Sequence, residues 1–166
     1  FTVTITDDLG GTTTQAIALT ITPVDDAASI NDGASGSGAE DTTITGTLSA
    51  TDAEGLTDGS VFSIADGNGP TNGSASINAE SGVWSYTPTA NFNGSDQFTV
   101  TITDDLGGTT TQAIALTITA VDDSAVITGD TSGSGAEDTA ITGTLAATDA
   151  EGLTDGTVFS LSLIHI

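Results

Sequence analysis

The chain has 166 residues, of which 23 are Asp or Glu and none is Lys or Arg, for a formal net charge of −23. Such a surface repels nucleic acid and anionic lipid, which are held mainly through cationic side chains, and its like charges must be spread apart or neutralised by cations. With no Cys there are no disulfides or thiolate sites, a usage that suits an exported bacterial protein, and no apolar run approaches the ~18 residues of a membrane-spanning helix.

The chain repeats itself. Phe1 to Gly11, FTVTITDDLGG, returns letter for letter at Phe98 to Gly108, and residues 1–63 laid over 98–160 differ at ten positions. A period of 97 residues is the length of a domain, well beyond the roughly 20–50 residues of solenoid and propeller repeats. The expected organisation is a truncated repeat at 1–24 (its C-terminal strands), a complete repeat at 25–121, and the N-terminal part of a third at 122–160. The chain thus reads as a window onto a tandem array, cut at both ends. Its last six residues, LSLIHI at 161–166, depart from the repeat, which would continue as Ile64-Ala65-Asp66-Gly67 does. They read as a translated sequencing adapter, a scar to be kept out of fold reasoning, and they contain the only His.

Hydrophobic residues make up 36% of the chain, and their patterning argues against disorder. Strict alternation with β-branched residues, the mark of half-buried strands, predicts seven strands in the complete repeat. Strand A lies near Ala27–Ile30. Strand B is Thr43–Ala50, with Ile44, Leu48 and Ala50 inward. Strand C is Ser60–Ile64, with Phe62 and Ile64 inward. Strand D is Ser74–Asn78, with Ala75 and Ile77 inward. Strand E is Val83–Thr87, with Trp84 and Tyr86 inward. Strands F and G are Gln97–Thr103 and Thr110–Ala120. Turn chemistry separates them at Ser35-Gly36-Ser37-Gly38, Asp66-Gly67-Asn68-Gly69-Pro70, Glu80-Ser81-Gly82, Asn93-Gly94 and Leu106-Gly107-Gly108. The expected fold is all-β, an immunoglobulin-like sandwich in tandem.

Alternating strand direction sends odd and even loops to opposite ends. One pole collects Asp52, Glu54, Glu80, Asp104 and Asp105, together with the entering linker Asp25-Asp26. The other collects Glu40, Asp41, Asp66 and Asp96, with the exit linker Asp122-Asp123. Stacked repeats bring the second pole against the first pole of the next, so that Asp122 and Asp123 meet Glu40, Asp41 and Asp96 from one side and Asp149 and Glu151 from the other. Calcium suits a dense set of hard oxygen ligands in flexible geometry; zinc lacks its Cys and His. The alternative is that these acids are solvated loop residues.

Other motifs carry little. There is no EF-hand loop. Asn72-Gly73-Ser74 and Asn93-Gly94-Ser95 match the glycosylation sequon but read first as turns. Trp84 and Tyr86, a conceivable sugar platform, sit on an alternating face and read as core. Without Cys, Lys or a His of the repeat, no usual nucleophile–base pair can be built, and a carboxylate pair for glycoside hydrolysis has no pocket signature around it.

Leu48-Ser-Ala-Thr-Asp52-Ala-Glu54-Gly55 resembles the cadherin A-x-D-A-D-x-G signature. Ala39-Glu40-Asp41 resembles its x-E-x motif, Ile102-Thr-Asp104-Asp105-Leu106-Gly107 its A-x-D-x-G, and Val121-Asp122-Asp123 a worn D-x-N-D-N. The stretch from Tyr86-Thr-Pro88 through Asn91-Phe92-Asn93-Gly94 to Phe98 is similar to the bacterial cadherin-like repeats, kin to the VCBS type, of giant surface adhesins of the repeats-in-toxin kind. The resemblance implies seven-stranded Greek-key sandwiches in series and calcium at their junctions. It also implies a stiff stalk on the bacterial cell surface, exported by type I secretion and serving cell adhesion or biofilm formation. Carried over by residue, it implies Glu40, Asp52, Glu54, Asp104, Asp122 and Asp123 as calcium ligands, with repeat equivalents Asp25, Asp26, Glu137, Asp149 and Glu151. The L-D-R-E motif is missing and the linker lacks its Asn, which implies one or two ions per junction rather than three.

The expectation is a non-enzymatic, calcium-dependent, extracellular structural repeat whose partners are the neighbouring repeats of its own chain, with no nucleic acid and no insertion into a membrane by this stretch. The competing expectation is an accessory or carbohydrate-binding module of a secreted hydrolase.

Overall fold

The computed structural model describes residues 1–59, 61–154 and 159–160, which contain no helix. Strand C was expected to start at Ser60, and the LSLIHI tail covers 161–166; both lie outside the described residues. Thirteen strands run in chain order as β1 Thr2–Thr6, β2 Thr12–Ala16, β3 Ser29–Asp32, β4 Ser35–Ala39, β5 Ile44–Thr47, β6 Ser49–Thr51, β7 Phe62–Ser63, β8 Gly73–Ile77, β9 Val83–Pro88, β10 Gly94–Thr103, β11 Thr109–Thr119, β12 Val126–Gly129 and β13 Leu145–Thr148.

The complete repeat is a two-layer sandwich. One layer is ordered β4-β11-β10-β7, the other β5-β9-β8, and β3 pairs with β6 at one end. The core is the inward set read from alternation: Ile44, Leu48, Trp84, Tyr86, Phe98, Val100, Ile102, Ile114, Leu116 and Ile118 are all buried, with Phe62 and Val61 beside them. Trp84 meets Phe98 edge to face, ring centroids 5.8 Å apart, the arrangement that the ring quadrupoles favour.

Two expectations are corrected here. Ser35-Gly36-Ser37-Gly38 is not a turn but most of strand β4, which runs parallel to β11 with Ala115 opposite Ser35 and Thr119 opposite Ala39. Its inward residues are glycines because Trp84 and Ile44 already fill the space. A Cβ at Gly36 would strike the Trp84 ring, and one at Gly38 would strike Ile44. Alternation is present in this strand, but glycine hides the apolar half of it. Strand B is likewise not continuous. Residues 44–47 pair with β9, and residues 49–51 pair with β3. With β4 added where a turn was expected, and B divided into β5 and β6, the seven expected strands become nine segments of the same sandwich.

The repeats carry their structure with them. Thr2 pairs with Ala16 as Thr99 pairs with Ala113, and Ile30 pairs with Ala50 as Ile127 pairs with Ala147. The copies differ where the letters differ. Residues 31–33 read Asn-Asp-Gly, and their counterparts 128–130 read Thr-Gly-Asp. In both copies a glycine at positive φ lies against the Thr47 or Thr144 carbonyl, where a Cβ would clash. In the complete repeat that glycine comes one residue later, and the β3–β6 register slips between Ile30 and Asp32 to accommodate the extra residue. In the third repeat the pairing runs on without a slip.

Gly46 lies flat against the Trp84 indole, where a Cβ would strike the ring. Overpacking of this kind costs about 1–3 kcal/mol. Gly46→Val is therefore expected to lower unfolding stability by about 3 kcal/mol in urea, followed through the single Trp, while Thr45→Val on the exposed face of the same strand changes it by less than about 0.5 kcal/mol.

Candidate metal centre

The acids sit where the strands stop. Among the described residues, only Asp32 and Asp96 fall inside a strand. Asp96 is no free ligand: it accepts hydrogen bonds from the N–H groups of Thr71, Asn72 and Gln97 and from the Tyr86 hydroxyl at 3.0 Å. Burial works to raise its pKa, but the Asn72, Thr71 and Gln97 N–H groups and the Tyr86 hydroxyl outweigh it, and the carboxyl titrates below its usual range. Burial, with the adjoining Asp96 carboxylate, pushes the Tyr86 hydroxyl up to about 12. This corner ties β9 to the start of β10 and takes no part in the junction, contrary to the convergence first expected of Asp96.

The first pole assembles as the strand directions require. The turn between β10 and β11 is closed by Asp104, whose Oδ1 accepts from Leu106 N at 2.8 Å and Gly108 N at 3.0 Å. Asp105 reaches across to the 52–58 loop, accepting from Thr57 N and Thr57 Oγ1, both at 2.7 Å, and from Asp58 N at 3.1 Å. The Thr57 hydroxyl and N–H hold the Asp105 carboxyl below its usual pKa. With the loop clasped in this way, Asp52 Oδ1 accepts from Glu54 N at 2.9 Å, and Glu54 Oε2 accepts from Asp26 N at 3.2 Å. Asp25 and Asp104 lie within hydrogen-bond reach of each other. They occupy space left by Gly108, where a Cβ would strike both carboxylates.

This crowding has an electrostatic signature. Partial desolvation and the charges of Asp104, Asp52 and Asp26 raise the Asp25 pKa. Partial desolvation and Asp52 also raise that of Glu54, against the Asp26 N–H. Asp104 is buried, and the Asp52 Oδ2 atom is buried with no hydrogen-bond partner.

At the second pole Glu40 is 1% exposed. Its Oε1 accepts from Val121 N at 2.6 Å, on the residue before the exit linker, and its Oε2 is buried without a partner. Asp123 N donates to Glu151 Oε2 at 3.0 Å, and Glu151 N donates to Asp149 Oδ1 at 3.1 Å, repeating the Asp26–Glu54–Asp52 arrangement. Asp123 and Asp149 share a cavity of about 470 Å³ with Asn91 of the preceding repeat. Asn91, at positive φ, donates its N–H to Asp41 Oδ1. It was not among the expected site residues, although Asn91-Phe92-Asn93-Gly94 was the signal that could have found it. Glu137, the counterpart of Glu40, is exposed, having no strand equivalent to β11 beside it among the described residues. The structure thus brings together Asp25, Asp26, Asp52, Glu54 and Asp104, and separately Asp123, Asp149 and Glu151. Among the described residues no three acidic side chains already converge on one ion position.

The pKa shifts have opposite consequences for stability. Asp25 and Glu54 are raised above their ordinary carboxylate values on folding. Their folded forms hold the proton more tightly, so stability is retained below those values and lost as pH rises through the folded pKa. Asp96 and Asp105 are lowered from 3.8, so the stability they contribute is present above 3.8 and is lost as pH falls through their folded values. Without divalent cations the melting temperature is expected to peak in mild acid and to decline toward neutrality. Asp25→Asn with Glu54→Gln flattens the neutral side of that profile, and Asp96→Asn flattens the acid side.

Comparison with known families bears on the complete repeat. A family model described as a bacterial Ig domain matches residues 23–117, and no curated protein matches the chain. The match begins just before the Asp25-Asp26 linker and ends within β11, and so spans the sandwich described above. This chain belongs to the bacterial Ig domain family.

Proposed function

We propose that this protein is a non-catalytic structural repeat of an extracellular bacterial surface protein, and that calcium bound at the poles stiffens a stalk of such repeats for adhesion. The observation that carries the reading is a pair of orphaned oxygens. Glu40 Oε2 and Asp52 Oδ2 are buried with no hydrogen-bond partner, in a chain with no Lys or Arg to pair them. A buried, unpartnered carboxylate oxygen is costly, and a cation removes that cost.

The residues present fit a hard cation. Their donors are carboxylate oxygens, and Gly108 leaves open the space in which Asp25 and Asp104 meet. Asp25, Asp26, Asp52, Glu54 and Asp104 would hold it at the first pole. At the junction, Glu40, Asp122 and Asp123 would act with Asp149 and Glu151, and Glu137 would take the place of Glu40 in the third repeat. Calcium would supply positive charge that cancels the repulsion between linker and loops. The chain's own part is to place the carboxylates: Asp105 clasps the 52–58 loop, and Glu40 anchors the end of β11 to the linker through Val121 N. The cadherin-like motifs support the same reading, as does the repetition of the acidic pole in two copies. The tandem array favours a stalk over a hydrolase accessory module, because copies in series supply length and spacing.

Calcium titration by calorimetry, paired with melting in calcium and in chelator, tests this. Calcium at a hundred times its dissociation constant is expected to add about 2.7 kcal/mol. Glu40→Gln with Asp52→Asn should abolish most of the heat and the gain, while in chelator the double variant melts no lower than the parent. Equal melting in calcium and chelator would refute the reading.

A further inference from the structure

The complete repeat carries three Asn-Gly pairs, Asn68-Gly69, Asn72-Gly73 and Asn93-Gly94, and the fold leaves them in different states. Asparagine before glycine has a reaction of its own. The glycine nitrogen can attack the side-chain carbonyl of the asparagine, because no Cβ crowds its approach. The attack needs an amide side chain free to swing, a glycine N–H that no acceptor holds, and room at the glycine for the ring that forms.

Asn93 fails on the N–H. Asp104 N donates to Gly108 O, which makes the even-numbered residues of β10 the hydrogen-bonded positions of its ladder with β11. Gly94, opposite Ile118, is one of them, so its N–H is spent on β11. Asn72 fails on room. A Cβ at Gly73 would strike the Thr87 carbonyl and the Tyr86 ring, and the Asn72 carbonyl is held by two donors, Thr89 N at 2.8 Å and the Tyr86 hydroxyl at 3.1 Å. Asn68 meets all three conditions. Neither its side chain nor the Gly69 N–H has a hydrogen-bond partner among the described residues, and a Cβ at Gly69 would meet nothing within 4 Å. The Asn68 carbonyl carries a single bond, from Thr99 N at 2.9 Å.

We propose that Asn68 is a site of spontaneous deamidation, selected by the fold over Asn72 and Asn93. Gly69 N gives up its proton to solvent hydroxide and attacks Asn68 Cγ. The N–Cγ bond forms, the Cγ–Nδ2 bond breaks, and the side-chain nitrogen leaves as ammonia, taking a proton from water. Water then opens the cyclic imide at one of its two carbonyls, giving aspartate or isoaspartate. Water is the one co-reactant, and nothing is oxidised or reduced. In the isoaspartate product the former Asn68 carbonyl becomes a carboxylate that already faces the Thr99 N–H, so that bond is kept and becomes charge-assisted. Either product adds a negative charge beside β10, in a chain with no Lys or Arg to offset it. The repeat therefore gains charge as it ages, independently of any cation at the poles.

Peptide mapping by mass spectrometry after incubation of the folded chain in mild alkali tests this. With no Lys or Arg to cut at, a Glu-specific protease releases residues 55–80, which hold Asn68 and Asn72, and residues 81–137, which hold Asn93. Electron-transfer fragmentation then places the new acid and separates aspartate from isoaspartate. Asn68 is expected to convert first, to both products. Gly69→Ala, which the open space admits, is expected to slow it about tenfold by crowding the attacking nitrogen, with the melting temperature unchanged. In urea, where the three pairs lose their different surroundings, they are expected to convert at like rates. Conversion of Asn72 or Asn93 ahead of Asn68 in the folded chain, an unchanged rate in Gly69→Ala, or the same preference for Asn68 in urea would overturn the proposal.

Discussion

Carboxylates without a counter-charge are the constraint on which this structure depends. With no ammonium or guanidinium group among its side chains, the chain has mainly its backbone N–H groups to offer its carboxylates, with a few hydroxyls such as those of Thr57 and Tyr86. Asp104 takes Leu106 N and Gly108 N, Asp105 takes Thr57 N and Asp58 N, Asp96 takes three N–H groups, and Asp41 takes Asn91 N. Free N–H groups exist where ladders end, so the acids gather in turns and linkers. The sheets are left with hydroxyls and methyls: the outward residues of β10 and β11 include Thr99, Thr101, Thr103, Thr111, Ala113, Ala115 and Thr117. The separation of neutral flanks from charged poles follows from composition together with strand geometry.

The sandwich was largely legible in the sequence because its core residues advertise themselves. Trp84, Tyr86, Phe98, Val100 and Ile102 alternate with Ser and Thr, and burial by alternation is a local property of a strand. β4 was not legible, because its inward positions are glycines whose small size answers to Trp84 and Ile44, residues that approach from another strand. The division of strand B is equally non-local, since nothing within residues 43–50 says that its two halves pair with different partners. At the poles, loop parity brought Asp25, Asp52 and Asp104 to one end correctly. It could not distinguish acids left facing each other from acids already satisfied. Asp96 is taken up by the 71–72 backbone and Tyr86, and Asp105 by Thr57; both are placed at the poles by loop parity and act as fasteners in the fold.

The two copies of the first pole show what the fold tolerates. Exchanging Asp-Gly for Gly-Asp at 32–33 and 129–130 moves a glycine by one position and removes a bulge, yet the linker–loop contact is rebuilt unchanged: Asp26 N on Glu54 in one copy, Asp123 N on Glu151 in the other. The sheet absorbs the change and the acidic pole does not register it. Glu40 ties the far end of the same sandwich to its exit linker through Val121, so both linkers of the complete repeat are fastened to it by carboxylates. On the proposed reading, whatever neutralises those carboxylates would act on the angle between successive repeats, and through it on the reach of the array.

Small-angle X-ray scattering from two consecutive complete repeats, in calcium and in chelator, tests that link between polar charge and extension most directly. The account predicts a single extended maximum dimension in calcium and a broader, shorter distribution in chelator, with Asp122→Asn and Asp123→Asn giving the chelator profile under both conditions. Identical scattering with and without calcium would contradict it.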